Sequence, residues 1–489
     1  MAARVGGGDR PARVPPGSPG SSACSVPMPG PAGDPGMQGE AGTSSKPGEL
    51  GEWRETREAV EPVERREVRE AVEPGGSVEP GGSGGSPSDL PVTLDAIRQA
   101  QKTLSGVARV TALEGSRHLS GLIGSPVHLK CENLQRTGSF KVRGAYVRIA
   151  GLSPAERAAG VVAASAGNHA QGVALAASLL GVRSTVFMPE GAPLPKVVAT
   201  REYGAEVRLR GQVVDDALCA AREHARRTGA VLIHPFDHPD VIAGQGTVGL
   251  EILEQCPEVR TVVVGMGGGG LAAGIAVALK ALRPDVRVVG VQAADAASYP
   301  RSLAAGRPVT VEAPVTMADG IKVARPGDVP FGIVRRLVDE VRTVSEDQLA
   351  SALLLCLERA KLLVEPAGAS PVAALLAAPR SFEGPVVAVL SGGNVDPLLL
   401  QGVLRHGMAA AGRYLSLRLR LTDRPGALAA LLEVLSAVDV NILDIGHVRT
   451  DPRLRLTEAE VELHLETKGH EHCAAVRTAL REAGYPVLS

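Results

Sequence analysis

Aromatic residues are scarce: five Phe, five Tyr and one Trp make up 2% of 489 residues. So few rings leave no stacking platform for single-stranded nucleic acid. An excess of one charge is also lacking. The net charge of −1 gives no pull toward a phosphate backbone or an anionic membrane surface. No uninterrupted apolar run is long enough to span a bilayer. The six cysteines, Cys24, Cys131, Cys219, Cys256, Cys356 and Cys473, include no CxxC pair. That spacing argues against a zinc site or a disulfide framework and fits reduced thiols in the cytoplasm. What remains is a chain that is 44% hydrophobic, enough for a sizeable core shared among about two or three domains.

Three composition regimes follow one another. Residues 1–89 are rich in Gly, Pro, Ser, Glu and Arg. A run from Arg57 to Pro62 recurs at Arg69 to Pro74 and is echoed at Ser77 to Gly82. Such a segment buries too little apolar surface to offset its ordering entropy, so a disordered tail is predicted, as a tether or a dispensable extension. Met28 and Met37 are internal candidates for the start. The sole tryptophan, Trp53, lies in this tail. From 90 to 412, strand-like and helix-like runs alternate: Val161 to Ala164, then Asn168 to Leu180; Ser184 to Met188, then Pro193 to Tyr203; Thr261 to Val264, then Leu271 to Leu282. Repeated βα units predict parallel sheets covered by helices, and more than 300 residues predict two α/β subdomains around a cleft. From 413 to 489 the pattern changes. Tyr414 to Leu421 alternates strictly, and the order that follows reads βαββαβ, a ferredoxin-like arrangement with a last strand at Tyr485 to Leu488.

Three segments carry chemistry. After a short strand ending at Lys130, a turn at Thr137 to Ser139 leads into a helical pattern, so Lys141 falls in a first helical turn. The free N–H groups there disfavour a second positive charge and favour the neutral amine that attacks carbonyls. Ser165-Ala166-Gly167-Asn168-His169 follows a strand and opens a helix. It suits a carboxylate or phosphate, or is an ordinary turn capped by Ser165 or Asn168. Gly267, Gly268, Gly269 and Gly270 precede Leu271 and a helix, exposing successive N–H groups to a phosphate. The same string fits G-x-G-x-x-G. A nicotinamide site, however, calls for an acidic residue at the end of the next strand, where Gln292 stands. A further run, Leu390 to Asn394, ends a strand where open α/β sheets bind ligands.

The string Ser139-Phe140-Lys141-Val142-Arg143-Gly144-Ala145 closely resembles the cofactor-lysine segment of threonine dehydratases, also called threonine ammonia-lyases. These are fold-type II pyridoxal-phosphate enzymes of tryptophan synthase β-like architecture. The resemblance covers roughly residues 92–489. It implies that Lys141, next to Phe140, carries pyridoxal 5'-phosphate as a Schiff base, and that Gly267 to Leu271 cradle its phosphate. It further implies that Asn168 contacts the phenolic oxygen and that Ser391 faces the ring nitrogen. Ser165, Gly167, Asn168 and His169 would bind the substrate carboxylate, with His169 equally readable as a structural partner. Glu365 matches a segment near the ring, although an N-cap explains it too, and the run Ala318 to Ile321 matches without an assignable role. The C-terminal segment Asp423 to Leu428, with Asn441, resembles amino-acid-binding ACT domains. Asp423, Pro425, Gly426 and Asn441 are then the expected regulatory residues.

The implied reaction is loss of water and ammonia from L-threonine to give 2-oxobutanoate, with L-serine giving pyruvate. An amino-acid effector such as isoleucine or valine and a homo-oligomer, dimer or tetramer, are expected. Serine racemases carry a serine where Ala166 stands, so elimination is favoured over racemisation. They also carry acidic metal ligands where this chain has Gln292 to Ser298, so no divalent metal site is expected. A β-replacement enzyme and a catalytically dead amino-acid sensor are the rival readings.

Overall fold

Two parallel sheets form the frame, one of them seven strands wide. The computed structural model describes residues 77–78, 90–312 and 314–488, which fall in one unit that runs Val68–Ser489. In chain order the strands are β1 (Ser77–Val78), β2 (Leu113–Gly115), β3 (Val127–Lys130), β4 (Val161–Ala164), β5 (Ser184–Met188), β6 (Glu206–Leu209), β7 (Val231–Leu232), β8 (Thr261–Gly265), β9 (Arg287–Ala293), β10 (Glu340–Val344), β11 (Val386–Val389), β12 (Tyr414–Thr422), β13 (Asn441–Val448) and β14 (Glu458–Glu466). The large sheet has the order β1-β10-β9-β8-β11-β3-β2, and the small one β6-β5-β4-β7. All pairings in these two sheets are parallel except those of the edge strands of the large sheet, β1 on β10 and β2 on β3.

The strands read as the packing requires. β4, β8 and β11 are buried along their whole length, because helices cover both faces of a parallel sheet. On one face of the large sheet Val262 and Val387 share a core with Ile275 and Leu279 of the helix Gly270–Leu282 and with the helix Pro239–Gln255. On the other, Val263 and Val289 share one with Ala369 and Val372 of the helix Pro366–Ala377. The core of the C-terminal segment is separate: Leu415, Leu417, Leu419, Val461, Leu463, Leu431 and Leu480.

Three corrections follow. The low-complexity reading of 1–89, Trp53 included, lies outside the described residues except at Ser77–Val78. That pair is not free: it adds to the sheet opposite Arg342 and Val341, since an edge strand offers unpaired N–H and C=O groups to any extended segment nearby. The last C-terminal strand shrinks to one bridge, Leu419 to Val487. Gly484 turns the chain at φ 82, and beside the bridge the Leu488 amide donates to the Arg418 carbonyl at 2.8 Å. The strand predicted to end at Val291 runs on to Ala293, so Gln292 lies within it, buried, with its side-chain oxygen accepting from the Tyr299 amide.

The C-terminal sheet has the order β12-β14-β13, antiparallel, with helices Ala427–Ala437 and His470–Glu482. No helix among the described residues is long and apolar enough to cross a membrane. Among them no group of three or more His, Cys, Asp or Glu is placed to hold a metal ion.

Candidate active site

Three adjacent strands of the large sheet, β8, β11 and β3, deliver the site at their carboxyl ends. The chain leaves β3 through two short 3-10 turns, with Thr137 in the left-handed region at φ 62, and enters the helix Lys141–Ala150 at its first residue, Lys141. After β8 come Gly267 to Gly270 and the helix Gly270–Leu282. After β11 come Ser391 and Gly392, which bridges Ser139 across the site. From the small sheet, β4 leads to Ser165 and the helix Asn168–Leu179.

Several peripheral helices begin with side-chain caps, at Ser116, Ser153, Ser345 and Asp396, and others, such as Ala427–Ala437 and His470–Glu482, begin without one. Those that start at Lys141, Asn168 and Gly270 have no side-chain cap. Their first amides are left for an anion, where the helix dipole adds to the attraction. Gly167, not Ser165 or Asn168, is the N-cap of Asn168–Leu179. Ser165 Oγ accepts from the Gly167 amide at 3.1 Å, and Asn168 points into the site.

The side chains converge on Lys141. Its Nζ donates to the Pro235 carbonyl at 3.1 Å. Burial lowers its pKa to about 8, opposed by the Glu365 carboxylate. Glu365 is pushed up to about 7 by burial and then by Asp319, against Lys196, the Asn168 amide and Lys141. An amine and a carboxyl whose pKa values lie this close together, in a buried site, suit proton transfer near neutral pH. Glu365 does occupy the N-cap position of Pro366–Ala377, but its side chain makes no cap. Its Oε1 instead accepts from Asn168 Nδ2 at 2.7 Å, and Asn168 Oδ1 accepts from Asn394 Nδ2 at 2.9 Å. His169 is buried, held well below its usual pKa at about 3 by burial, and faces the Ile233 carbonyl at 2.8 Å. A carbonyl only accepts, so Nε2 carries the proton.

The site fits pyridoxal phosphate. Gly269 is left-handed at φ 96, and a Cβ there would overlap the Tyr299 hydroxyl; one at Gly268 would overlap the Phe236 ring. The loop therefore exposes bare amides where side chains are excluded. Ser139 Oγ and Gln245 Oε1 are buried without partners; Gln245 flanks Gly270, and Ser139 neighbours Gly392. Such orphaned groups call for a polar ligand.

Sequence reasoning missed what holds the lysine. Arg143, two residues on, gives two bonds to Glu132, both 2.8 Å, and one to Glu251 at 2.7 Å; Lys130 reaches Glu251 at 2.6 Å. All four are buried. Charged residues at positions patterned as core were the available signal. Also missed was Lys196, on the helix Leu194–Glu202 beside the small sheet. Its Nζ lies 2.8 Å from Asp319, in the run Ala318 to Ile321, and close to Gly167. Asp423, Pro425, Gly426 and Asn441 are all exposed in the C-terminal segment. Asp423 accepts from Arg449 at 3.1 Å, and Asn441 donates to Glu466 at 3.0 Å.

The model of the pyridoxal-phosphate dependent enzyme family matches residues 104–392, and the chain belongs to that family. Pyridoxal 5'-phosphate is its cofactor. It is 49% identical to an L-threonine ammonia-lyase of Geobacter sulfurreducens over 399 residues, 81% of this chain and 99% of that protein. The corresponding figure for the L-threonine ammonia-lyase of Thermotoga maritima is 46% over 396 residues, again 81% and 99%. The crystal structure of a threonine deaminase from T.th. aligns with TM-score 0.60 at 45% identity, over 62% of this chain and 99% of that one.

Proposed function

We propose that this chain deaminates L-threonine to 2-oxobutanoate and ammonia, and L-serine to pyruvate and ammonia. The observation that carries the reading is the convergence of Lys141, the bare amides of Gly267 to Gly270, and Ser391 at the ends of three adjacent strands. The names of the two near-full-length relatives support threonine as substrate. Lys141, with Phe140 beside it, would hold the cofactor's carbonyl end. Gly267, Gly268, Gly269, Gly270 and Leu271 would hold its phosphate, Asn168 its phenolic oxygen and Ser391 its ring nitrogen. When bound, the cofactor delocalises the electron pair left at Cα.

The chain's own residues do the rest. Ser165, Gly167 and Asn168 bind the substrate carboxylate at the start of Asn168–Leu179. His169 holds that helix to the small sheet. Lys141, in its neutral form, takes the Cα proton. The β-hydroxyl leaves as water, and water then replaces the nitrogen, so threonine yields 2-oxobutanoate and ammonia in balance. Glu365 holds Asn168 in place and sets the proton affinity of Lys141. Ala166 offers no second base on the opposite face, which favours elimination over racemisation.

The finer readings belong to this proposal too. The catalytic part spans 90–412. Residues 413–489 bind an amino-acid effector, isoleucine or valine, through Asp423, Pro425, Gly426 and Asn441, whose exposure supports the assignment. The chain works as a homo-oligomer, dimer or tetramer, in the cytoplasm; Cys131, Cys219, Cys256, Cys356 and Cys473 are free thiols. The test is 2-oxo acid formation from L-threonine and L-serine, with and without added pyridoxal phosphate, with the visible spectrum recorded alongside. Cofactor-dependent 2-oxobutanoate is expected. Bound cofactor without oxo acid would move the reaction to racemisation or β-replacement.

A further inference from the structure

A cavity of about 520 Å³ lies where the last catalytic helix, Pro397–Ala410, meets the C-terminal segment. Ala409, Leu415 and Ala474 supply apolar wall, while Arg477 and His470 supply the basic groups. Among the described residues that line it, none carries a carboxylate. His470, Cys473, Ala474 and Arg477 share one face of the helix His470–Glu482, at the spacing that brings side chains together. Arg477 is exposed along part of its length, and among the described residues it has no hydrogen-bond or ion-pair partner. A guanidinium held against apolar wall is best matched by a carboxylate, which takes two parallel bonds from it.

The same wall disfavours an ammonium group. The carbonyl of Gly412, a lining residue, already accepts from the Gly469 amide at 3.0 Å, Thr467 Oγ1 at 2.7 Å and Cys473 Sγ at 3.3 Å. An amino acid seated on Arg477 would therefore place its ammonium beside a guanidinium, with no carboxylate among the described lining residues to pair it. A carboxylate without an amino group meets no such penalty, and its short alkyl chain lies on Ala409, Leu415 and Ala474.

We propose that this cavity is a binding site for a small aliphatic monocarboxylate that lacks an amino group, the class to which a 2-oxo acid product belongs. The site is separate from Asp423, Pro425, Gly426 and Asn441. Its wall is joined to the active site by a short path. Arg413, next to Gly412, pairs with Glu358 in the π-helical turn Cys356–Ala360. Lys361 then turns the chain at φ 61, and Glu365, which faces Lys141, is four residues further on.

The experiment is calorimetric titration of the full-chain holoenzyme with butanoate, which has no group that can react with the cofactor, and in parallel with 2-aminobutanoate. The visible spectrum reports occupation of the active site. Saturable butanoate binding that leaves the spectrum unchanged is expected. Arg477→Gln should weaken it at least about tenfold, and Ala474→Trp should abolish it by filling the cavity. Basal turnover should be unchanged in both. The affinity of 2-aminobutanoate should not respond to Arg477→Gln. Absence of saturable heat, or butanoate affinity unchanged by Arg477→Gln, overturns the proposal. Arg477 lies at the surface of the fold, so that variant decides the question even if Ala474→Trp does not fold. The ligand class rests on the cavity alone, so a failed threonine assay would leave it standing.

Discussion

Lys141 works through where it is held. An amine with its pKa lowered to about 8 is half neutral at that pH, where an exposed lysine is almost wholly charged. Lys141→Ala should abolish 2-oxo acid formation and the visible absorbance of bound cofactor; retention of both would refute the assignment. Only the neutral amine captures the cofactor's carbonyl. Uptake by the apoenzyme should therefore accelerate as pH rises through about 8. The Glu365 carboxylate raises the Lys141 pKa, so Glu365→Gln should shift that midpoint downward, by up to about one unit. An upward shift in stopped-flow uptake would contradict the coupling. At this scale Lys141 and the glycine loop were legible because each is a local pattern. Pro235, whose carbonyl receives the amine, was not, because 94 residues separate the two.

At the scale of elements, the helix Lys141–Ala150 is anchored from inside. Arg143, Lys130, Glu132 and Glu251 form a buried set of two cations and two anions. Arg143→Met leaves two buried carboxylates undercompensated. A loss of about 3–5 kcal/mol in chemical denaturation is expected, with weaker cofactor retention as the helix loosens. The neighbouring helix Asn168–Leu179 approaches just as closely: a Cβ on Gly172 would lie 3.1 Å from the Lys141 Cβ and 3.0 Å from its carbonyl carbon. Gly172→Ala should therefore displace the lysine and lower cofactor occupancy, read from the visible spectrum, with little change in far-UV circular dichroism. Helix and strand positions were largely readable, since periodicity and caps are local. Uncapped helix starts were readable as turns. That the starts at Lys141, Asn168 and Gly270 share one cleft was not.

At the scale of the whole molecule, the ion pair Lys196–Asp319 crosses between the halves. Lys196 belongs with the small sheet and Asp319 with the large one, and they meet beside Gly167 and Glu365. Lys196→Gln removes a cation from the edge of the proposed carboxylate site. KM for threonine should rise about tenfold with a smaller change in kcat, the signature of lost ground-state binding. An unchanged KM would dissociate Lys196 from the substrate. Deletion of residues 413–489 removes a segment with its own leucine core. The truncated enzyme should keep its turnover and lose any response to isoleucine or valine; unchanged effector curves would refute regulation through that segment.

The sequence by itself determined the alternation of strands and helices, the change of pattern at Tyr414, and the lysine, glycine-loop and serine motifs. All of these depend on neighbours along the chain, through backbone propensity, apolar period and the need for bare amides. Only the tertiary structure decided that β3, β8 and β11 lie side by side, so that three distant turns share one site. It also decided that Glu365 faces Asn168 instead of capping its helix, that His169 is spent on the Ile233 carbonyl, and that Arg143 and Lys196 meet Glu132, Glu251 and Asp319. Burial lowers the pKa of Lys141 and His169 and raises that of Glu365, and burial arises from parts of the chain that pattern reading cannot bring together.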